Sequence, residues 1–396
     1  MKNYDLITPE GTKDYLFDES IIIRNVENTL VELFKSCGYS EIITPGLEFY
    51  DVFNLNSRYF PQENLYKLTD SKGRLIVVRP DITIPIARVV ATRLRDAMLP
   101  LKLFYNQTVY RTEPALKGRS DEIVQTGIEL IGSQLKMADL EVISTAVTAL
   151  KSFGMEFSLE IGNIGIFKEL VNKLEVTDNV KENIRCLIET KNFPALNDLL
   201  DSLGNNSVIY ALKKLPALFG GEEVFEKAEE IMPDENIKKI LEDLRDIYHD
   251  VSRLCGDEGS ITVDLGLVNE TDYYTDLIIK GYLQGYGDEV LSGGRYDKLI
   301  SEFGYDVPAI GFAVNVNAVA KLIEKNGIIP AMPRIDAIVY AENGFEVNAI
   351  KTAQSLREQG LTVETALFDD IETVRSYAIE RQIPRVIVVN SEEEEQ

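Results

Sequence analysis

The stretch "VYRTEPALKGRSDEIVQTGIELIG", Val109–Gly132, decides the reading of the chain. Two runs rich in β-branched and aromatic residues, "LKLFYNQTVYRTE" and "DEIVQTGIELIG", are joined by the polar loop "PALKGRS". Such side chains pack well on a pleated surface, so the pair predicts two strands linked by a loop. Arg111, Lys117 and Arg119 sit in or beside that loop. Basic heads on a loop between strands suit the phosphates of a nucleotide. The question is therefore whether phosphoryl or adenylyl chemistry goes with this shape.

Working outward, apolar residues at Ile22, Val26, Leu30, Leu33 and Phe34 repeat with a helical period that ends at Gly38. "YSEIITPGLEF" reads as a strand broken at Pro45, and "GRLIVVRPDITIPIARVVATRL" as a strand entering a helix near Thr83. "MADLEVISTAVTALKSFG" is an amphipathic helix closed by Gly154. From about 163 to 256 the runs have period 3.6 with few strand signals, which predicts a helical insertion. Strands return with "SITVDLGLV", "DYYTDLIIKGYL" and "DEVLSGG", followed by a helix in "RYDKLISEFG" and a strand–helix pair in "AIGFAVNVNAVAKLIEKNG". Two prolines in "IIPAMPRID" mark a boundary, beyond which the pattern is βαβαβ. The expected class is α+β: an antiparallel sheet core flanked by helices over 1–325, with the insertion inside it, and a small α/β domain over 333–396.

Composition narrows the function. A formal net charge of -24 disfavours a broad nucleic-acid footprint, which needs clustered Lys and Arg. One histidine, His249, and three scattered cysteines, Cys37, Cys186 and Cys255, argue against a zinc site and against a Ser-His-Asp triad. His249 lies in the charged run "LEDLRDIYHDV" and reads as solvated surface. There is no GxxxxGKS/T and no GxGxxG, so no P-loop or dinucleotide fingerprint. The polar N-terminus and the lack of an eighteen-residue apolar run point to a cytoplasmic protein with no membrane span.

In this order the segments resemble class II aminoacyl-tRNA synthetases, specifically histidyl-tRNA synthetase, over nearly the whole chain. "GYSEIITPGLEFYDVF" is similar to the first class motif, with its proline at a dimer interface; Val109–Gly132 is similar to the second, which grips ATP; "AIGFAVNVNAV" is similar to the third. "VRPDIT", "DYYT" and "GGRYD" are similar to the histidine-binding segments. The resemblance implies a histidine site made of Asp81, Thr83, Gln125, Glu129, Tyr273, Tyr274 and Tyr296, and a residual nucleotide or anion site of Arg111, Glu113 and Arg119. Carboxylates for an ammonium group and tyrosines for an imidazole ring are chemically apt. Each has a plainer role as well: Asp81 as a helix cap before Thr83, Tyr273 or Tyr274 as strand core, and paired glycines as a turn.

The departures decide the rest. Where the synthetases carry an arginine before "DYYT", this chain has Asn269, and where the third motif ends in an arginine it has Ala318, beside Asn315 and Asn317. The glycine and glutamate expected after "YYT" are Asp276 and Lys280. A preorganised cation at a developing oxyanion is worth about 3–4 kcal/mol. Losing two removes on the order of 10⁴–10⁶ in rate if the effects add, which catalytic groups seldom do fully. The shape is expected to be kept and the reaction lost. The tail resembles the synthetases' anticodon-binding domain, shortened, with six basic against thirteen acidic residues over 331–396, a poor reader of RNA.

This combination resembles the regulatory subunits of ATP phosphoribosyltransferase. The resemblance implies no catalytic residues, no metal and no cofactor of its own. It implies dimerisation, binding of L-histidine but not tRNA, and a hetero-octamer with the short-form catalytic subunit, in feedback control of histidine biosynthesis. An active histidyl-tRNA synthetase with unusual replacements and a stand-alone histidine-sensing adaptor remain the competing readings.

Overall fold

The computed structural model describes residues 4–54, 62–112, 120–256, 260–268, 273–328 and 334–390. Its first helix, α1 (Phe17–Ser36), buries Ile22, Ile23, Val26, Leu30 and Phe34 on one stripe, as the three-to-four spacing requires. Phe34 meets the rings of Phe104 and Phe312 at 6.3 and 5.8 Å. The helix stops because Gly38 takes φ +80°, which lets Tyr39 N–H donate to Phe34 O at 3.0 Å.

Next come β1 (Ser40–Glu41), β2 (Leu47–Phe49), β3 (Lys67–Thr69), β4 (Leu75–Val78) and α2 (Thr83–Arg93). The hairpin strands β5 (Leu101–Tyr110) and β6 (Glu122–Ile131) follow, then α3 (Lys136–Lys151) and β7 (Phe157–Asn163). The helical stretch holds α4 (Ile164–Asn172), α5 (Asp178–Glu189), α6 (Phe193–Ser202), α7 (Ser207–Lys214), β8 (Phe219–Gly220), α8 (Glu223–Ile231) and α9 (Glu235–Cys255). The first unit closes with β9 (Ile261–Asp264), β10 (Leu277–Leu283), β11 (Leu291–Arg295), β12 (Ala309–Asn315) and α10 (Val316–Lys325).

Among the described residues one sheet has the order β1-β5-β6-β12-β11-β10-β7-β9-β8. Its six central strands are antiparallel, as expected, but the flanks are not: β1 runs parallel to β5 and β9 parallel to β7. Helices α1, α3, α9 and α10 pack against this sheet. Phe312 meets Phe34 of α1, so its neighbour Gly311 faces the opposite side by the two-residue period. On that side Glu129 is paired with Gly311, and Gly311 with Gly294.

One expectation is corrected. "RYDKLISEFG" makes only a 3-10 turn, Ile300–Phe303, because Gly304 enters the left-handed region at φ +83°. The paired glycines of "DEVLSGG" lie inside β11, as the strand reading expects, and a Cβ on Gly294 would come 2.8 Å from Tyr274 Cδ1. The helical stretch is also tied to the core: β8 pairs with β9, and α9 packs on α3 and β7.

The chain divides into two compact units, Met1–Ile328 and Ile329–Gln396. The second unit has β13 (Ala337–Ala341), α11 (Glu346–Glu358), β14 (Val363–Thr365), α12 (Ile371–Glu380) and β15 (Val386–Val389), in a parallel sheet ordered β14-β13-β15. Alternate residues of β13 supply two small cores, Ala337 and Val339 with α11, Ile338 with α12.

Candidate functional site

The row across β6, β12 and β11 builds a buried cluster. Glu129, 1% exposed, accepts from Thr83 Oγ1 at 2.7 Å on one oxygen and from the Tyr296 hydroxyl on the other. No side chain intervenes, because a Cβ on Gly311 would fall on Glu129 Oε2. Asp81, 4% exposed, accepts from Ile84 N–H at 2.8 Å at the start of α2 and from the Tyr273 hydroxyl. The capping role and the cluster role therefore coincide in one carboxylate. Tyr273 packs against Tyr274 and Tyr296 with ring centroids at 4.8 and 5.8 Å, both nearly edge-to-face. Tyr273 and Tyr274 precede β10 and are not part of it.

The electrostatics follow from burial. Desolvation pushes Glu129 up to about 8, against the lowering effect of the Tyr296 and Thr83 hydrogen bonds, and nearby Asp81 raises it further. Burial raises Asp81 too, offset chiefly by Arg111. Arg111 Nη2 lies 3.8 Å from Asp81 Oδ2, while its Nε donates to Pro80 O at 2.6 Å. Arg111 thus offsets part of the charge on Asp81, while Glu129 is held by hydroxyl donors. An ammonium group placed between the two carboxylates would supply the missing charge.

Beside the cluster lies a cavity of about 430 Å3, and of the sequence-predicted site residues Arg111 and Gln125 line it. Among the described residues its ionisable lining comprises the cations Lys13, Arg111 and Lys321 and five carboxylates, Glu289 among them. Lys13 is already paired with Glu19 at 2.6 Å. Burial and neighbouring Asp288 raise Glu289, against Lys280. The third-motif region forms one wall. Asn315 Oδ1 accepts from Ala318 N–H at 3.1 Å and caps α10. Asn317 accepts from Val124 N–H at 2.7 Å and donates to Tyr15 Oη at 2.8 Å. Ala318 is buried and brings no charge. Glu113, Arg119 and Asn269 lie outside the described residues.

The family model described as histidyl-tRNA synthetase matches residues 11–319. An ATP phosphoribosyltransferase regulatory subunit of Clostridium kluyveri is 44% identical over 382 residues, 96% of this chain and 97% of that protein. One of Bacillus mycoides is 38% identical over 400 residues, 99% and 94% of the two chains. The chain belongs to the family of ATP phosphoribosyltransferase regulatory subunits. Among solved structures, an ATP phosphoribosyltransferase regulatory subunit/histidyl-tRNA synthetase of Bacillus halodurans superposes with TM-score 0.84 at 29% identity, over 98% of this chain and 100% of that one. A histidyl-tRNA synthetase of a Nostoc species gives 0.79 at 19% identity, over 98% and 92%, a likeness of fold.

Within this regulatory-subunit chain, the structure brings Asp81, Thr83, Glu129, Tyr273, Tyr274 and Tyr296 together and sets Gln125 and Arg111 at the cavity. Sequence reasoning missed two contributors. Tyr105, buried on β5 and hydrogen-bonded with Thr83, lies opposite Gly127, whose Cβ would come 2.6 Å from the Tyr105 hydroxyl. An aromatic opposite a glycine across the hairpin was the available signal. Lys168 of α4 donates to Tyr274 O at 2.7 Å; nothing in its helical context pointed there. Among the described residues no His/Cys/Asp/Glu group could hold a metal ion, and no helix is long and apolar enough to cross a membrane. His249 is half exposed beside Glu222 at 3.3 Å.

Proposed function

We propose that this chain is a non-catalytic regulatory subunit of ATP phosphoribosyltransferase that binds free L-histidine at the Glu129 cluster and makes no histidyl-adenylate. The observation that carries the reading is the pairing of a carboxylate cluster suited to an ammonium with an uncharged Ala318 at the neighbouring cavity. The full-length likeness to proteins named as regulatory subunits supports it. The α-ammonium sits between Asp81 and Glu129, and the tyrosine rings take the imidazole.

A bound amino acid that cannot react acts as a signal when it favours one arrangement of the assembly. A coupling of about 1–3 kcal/mol changes a partner's activity from several-fold to roughly a hundredfold. The partner is a short-form phosphoribosyltransferase catalytic subunit in a hetero-octamer, with the regulatory chains self-associating as dimers in the cytoplasm. Tyr15, Asn317 and the acidic cavity lining leave little for a polyphosphate, and tRNA is not a ligand. Titration calorimetry with histidine and ATP–pyrophosphate exchange test the core of this. Histidine binding with no exchange is the expected result, and rapid exchange would establish an active synthetase instead. Co-purification with a phosphoribosyltransferase separates the regulatory subunit from a stand-alone sensor.

A further inference from the structure

Two tyrosines of the Glu129 cluster stand on a short segment, Tyr273–Asp276, that is bonded on two sides. On one side it meets the end of β11: Thr275 N–H donates to Arg295 O at 2.7 Å, and Thr275 Oγ1 accepts from Asp297 N–H at 3.1 Å. On the other it meets the start of α4. The ladder of β10 and β7 ends at the Leu277–Asn163 pair, and Ile164 N–H continues it by donating to Asp276 O at 3.0 Å. Asn163 caps α4 by accepting from Gly165 N–H at 2.8 Å, and its Nδ2 donates to the Asp276 carboxylate. About one turn further along, Lys168 Nζ donates to Tyr274 O at 2.7 Å.

We propose that α4 is a lever: occupancy of the Glu129 cluster tilts it about the Asn163–Asp276 joint, through the link between Lys168 and Tyr274. The inference rests on the reading that the tyrosine rings take the imidazole of a bound histidine. It adds the route by which that occupancy reaches the helical stretch.

The joints differ in what holds them. The Arg295 joint is firm, because its buried guanidinium donates to Asp139, to Asp297 and to Ser133 O. The Asn163–Asp276 joint is tied to the last pair of a ladder. Tyr274 O lies beyond that ladder, where its donor is the head of a long, flexible side chain on α4. Displacement of the tyrosine pair therefore passes to the helix. Lys168 stands four residues beyond Ile164, about 6 Å along the axis. Two attachments that far apart transmit tilt, whereas one alone would act as a swivel. The tilt then has somewhere to go, because α4 buries Ile166, Phe167, Leu170 and Val171 and packs on α7 and α9. Close-packed interiors transmit strain rather than absorb it. Lys168 and Asn163 are positioning residues, acting through Tyr274 and Asp276.

Residue-resolved amide exchange of the full chain, with and without saturating histidine, reads the lever. Histidine is expected to slow exchange at Tyr274 and Thr275 and also along α4 and α7, by about fivefold or more. Lys168→Met removes the link. Histidine affinity by calorimetry should then stay within about tenfold, the usual size of one charged hydrogen bond. The response at Tyr274 and Thr275 should remain, while that along α4 and α7 should vanish. Lys168→Arg keeps a donor and should restore it. A merely structural lysine would instead change exchange equally with and without histidine. Binding by calorimetry with no response along α4 of the parent chain overturns the lever and leaves the histidine site standing, and that measurement needs no variant to fold. A response that survives in Lys168→Met overturns it as well. Absence of histidine binding removes the site and the lever together.

Discussion

The Glu129 cluster and the cavity beside it lie next to each other yet handle charge differently. In the cluster, two carboxylates sit among hydroxyl and amide donors with one guanidinium 3.8 Å from Asp81. In the cavity, acidic side chains outnumber basic ones among the described residues, and Lys13 is already held by Glu19. Adding a cation relieves the first region. Among the described residues, the second offers a triphosphate three cations, one of them already paired, against five carboxylates. On the proposed reading, the contrast teaches that recognition of an amino acid and its activation would rest on separable sets of side chains, even a few residues apart on one strand.

The sharpest way to break this comparison is at Glu129. Glu129→Gln keeps the shape but removes the charge, and truncating a buried charge pair typically costs 2–5 kcal/mol. Histidine affinity measured by calorimetry is therefore expected to fall at least about thirtyfold; unchanged affinity would move the ligand elsewhere. A core control is of comparable size. Phe34→Ala should cost about 3–5 kcal/mol of stability by chemical denaturation, because Phe34 is fully buried against Phe104 and Phe312. Its loss undermines the sheet beneath both regions.

Proton linkage sharpens the comparison. Glu129 is raised to about 8 in the folded chain without ligand. The folded state therefore binds a proton that the unfolded state has released, and this stabilisation is present at low pH and fades as pH rises through about 8. An ammonium needs the ionised carboxylate, so histidine binding at pH 7 should release close to one proton. Calorimetry in buffers of different ionisation heat reads that number, and proton uptake would contradict the assignment. By the same sign, Glu129→Gln should melt later than the parent chain at pH 9. Smaller still is the effect of charging the cavity. Ala318→Arg should tighten ATP by roughly fivefold, about 1 kcal/mol, and leave histidine affinity within twofold. A large change in histidine affinity would show that the two regions are one.

Much of this was legible beforehand. The α1 stripe, the β5–β6 hairpin and the βαβαβ tail follow from period and composition, which local physics controls. The carboxylates and tyrosines were legible through the order of their segments. Tyr105 and Lys168 were not, because their roles come from pairing across the hairpin and from a helix more than a hundred residues before Tyr274 in sequence. The strand setting of Gly293 and Gly294 was legible in "DEVLSGG", but the reason for glycine there was not, since it lies in tertiary crowding by Phe312 and Tyr274.

Gly311 carries a last consequence. One added methyl there would evict the Glu129 carboxylate and strip Thr83 and Tyr296 of their common acceptor. If the cluster holds the amino acid as proposed, a chain deaf to that signal lies one small mutation away, at a position that an alignment would pass as a harmless change.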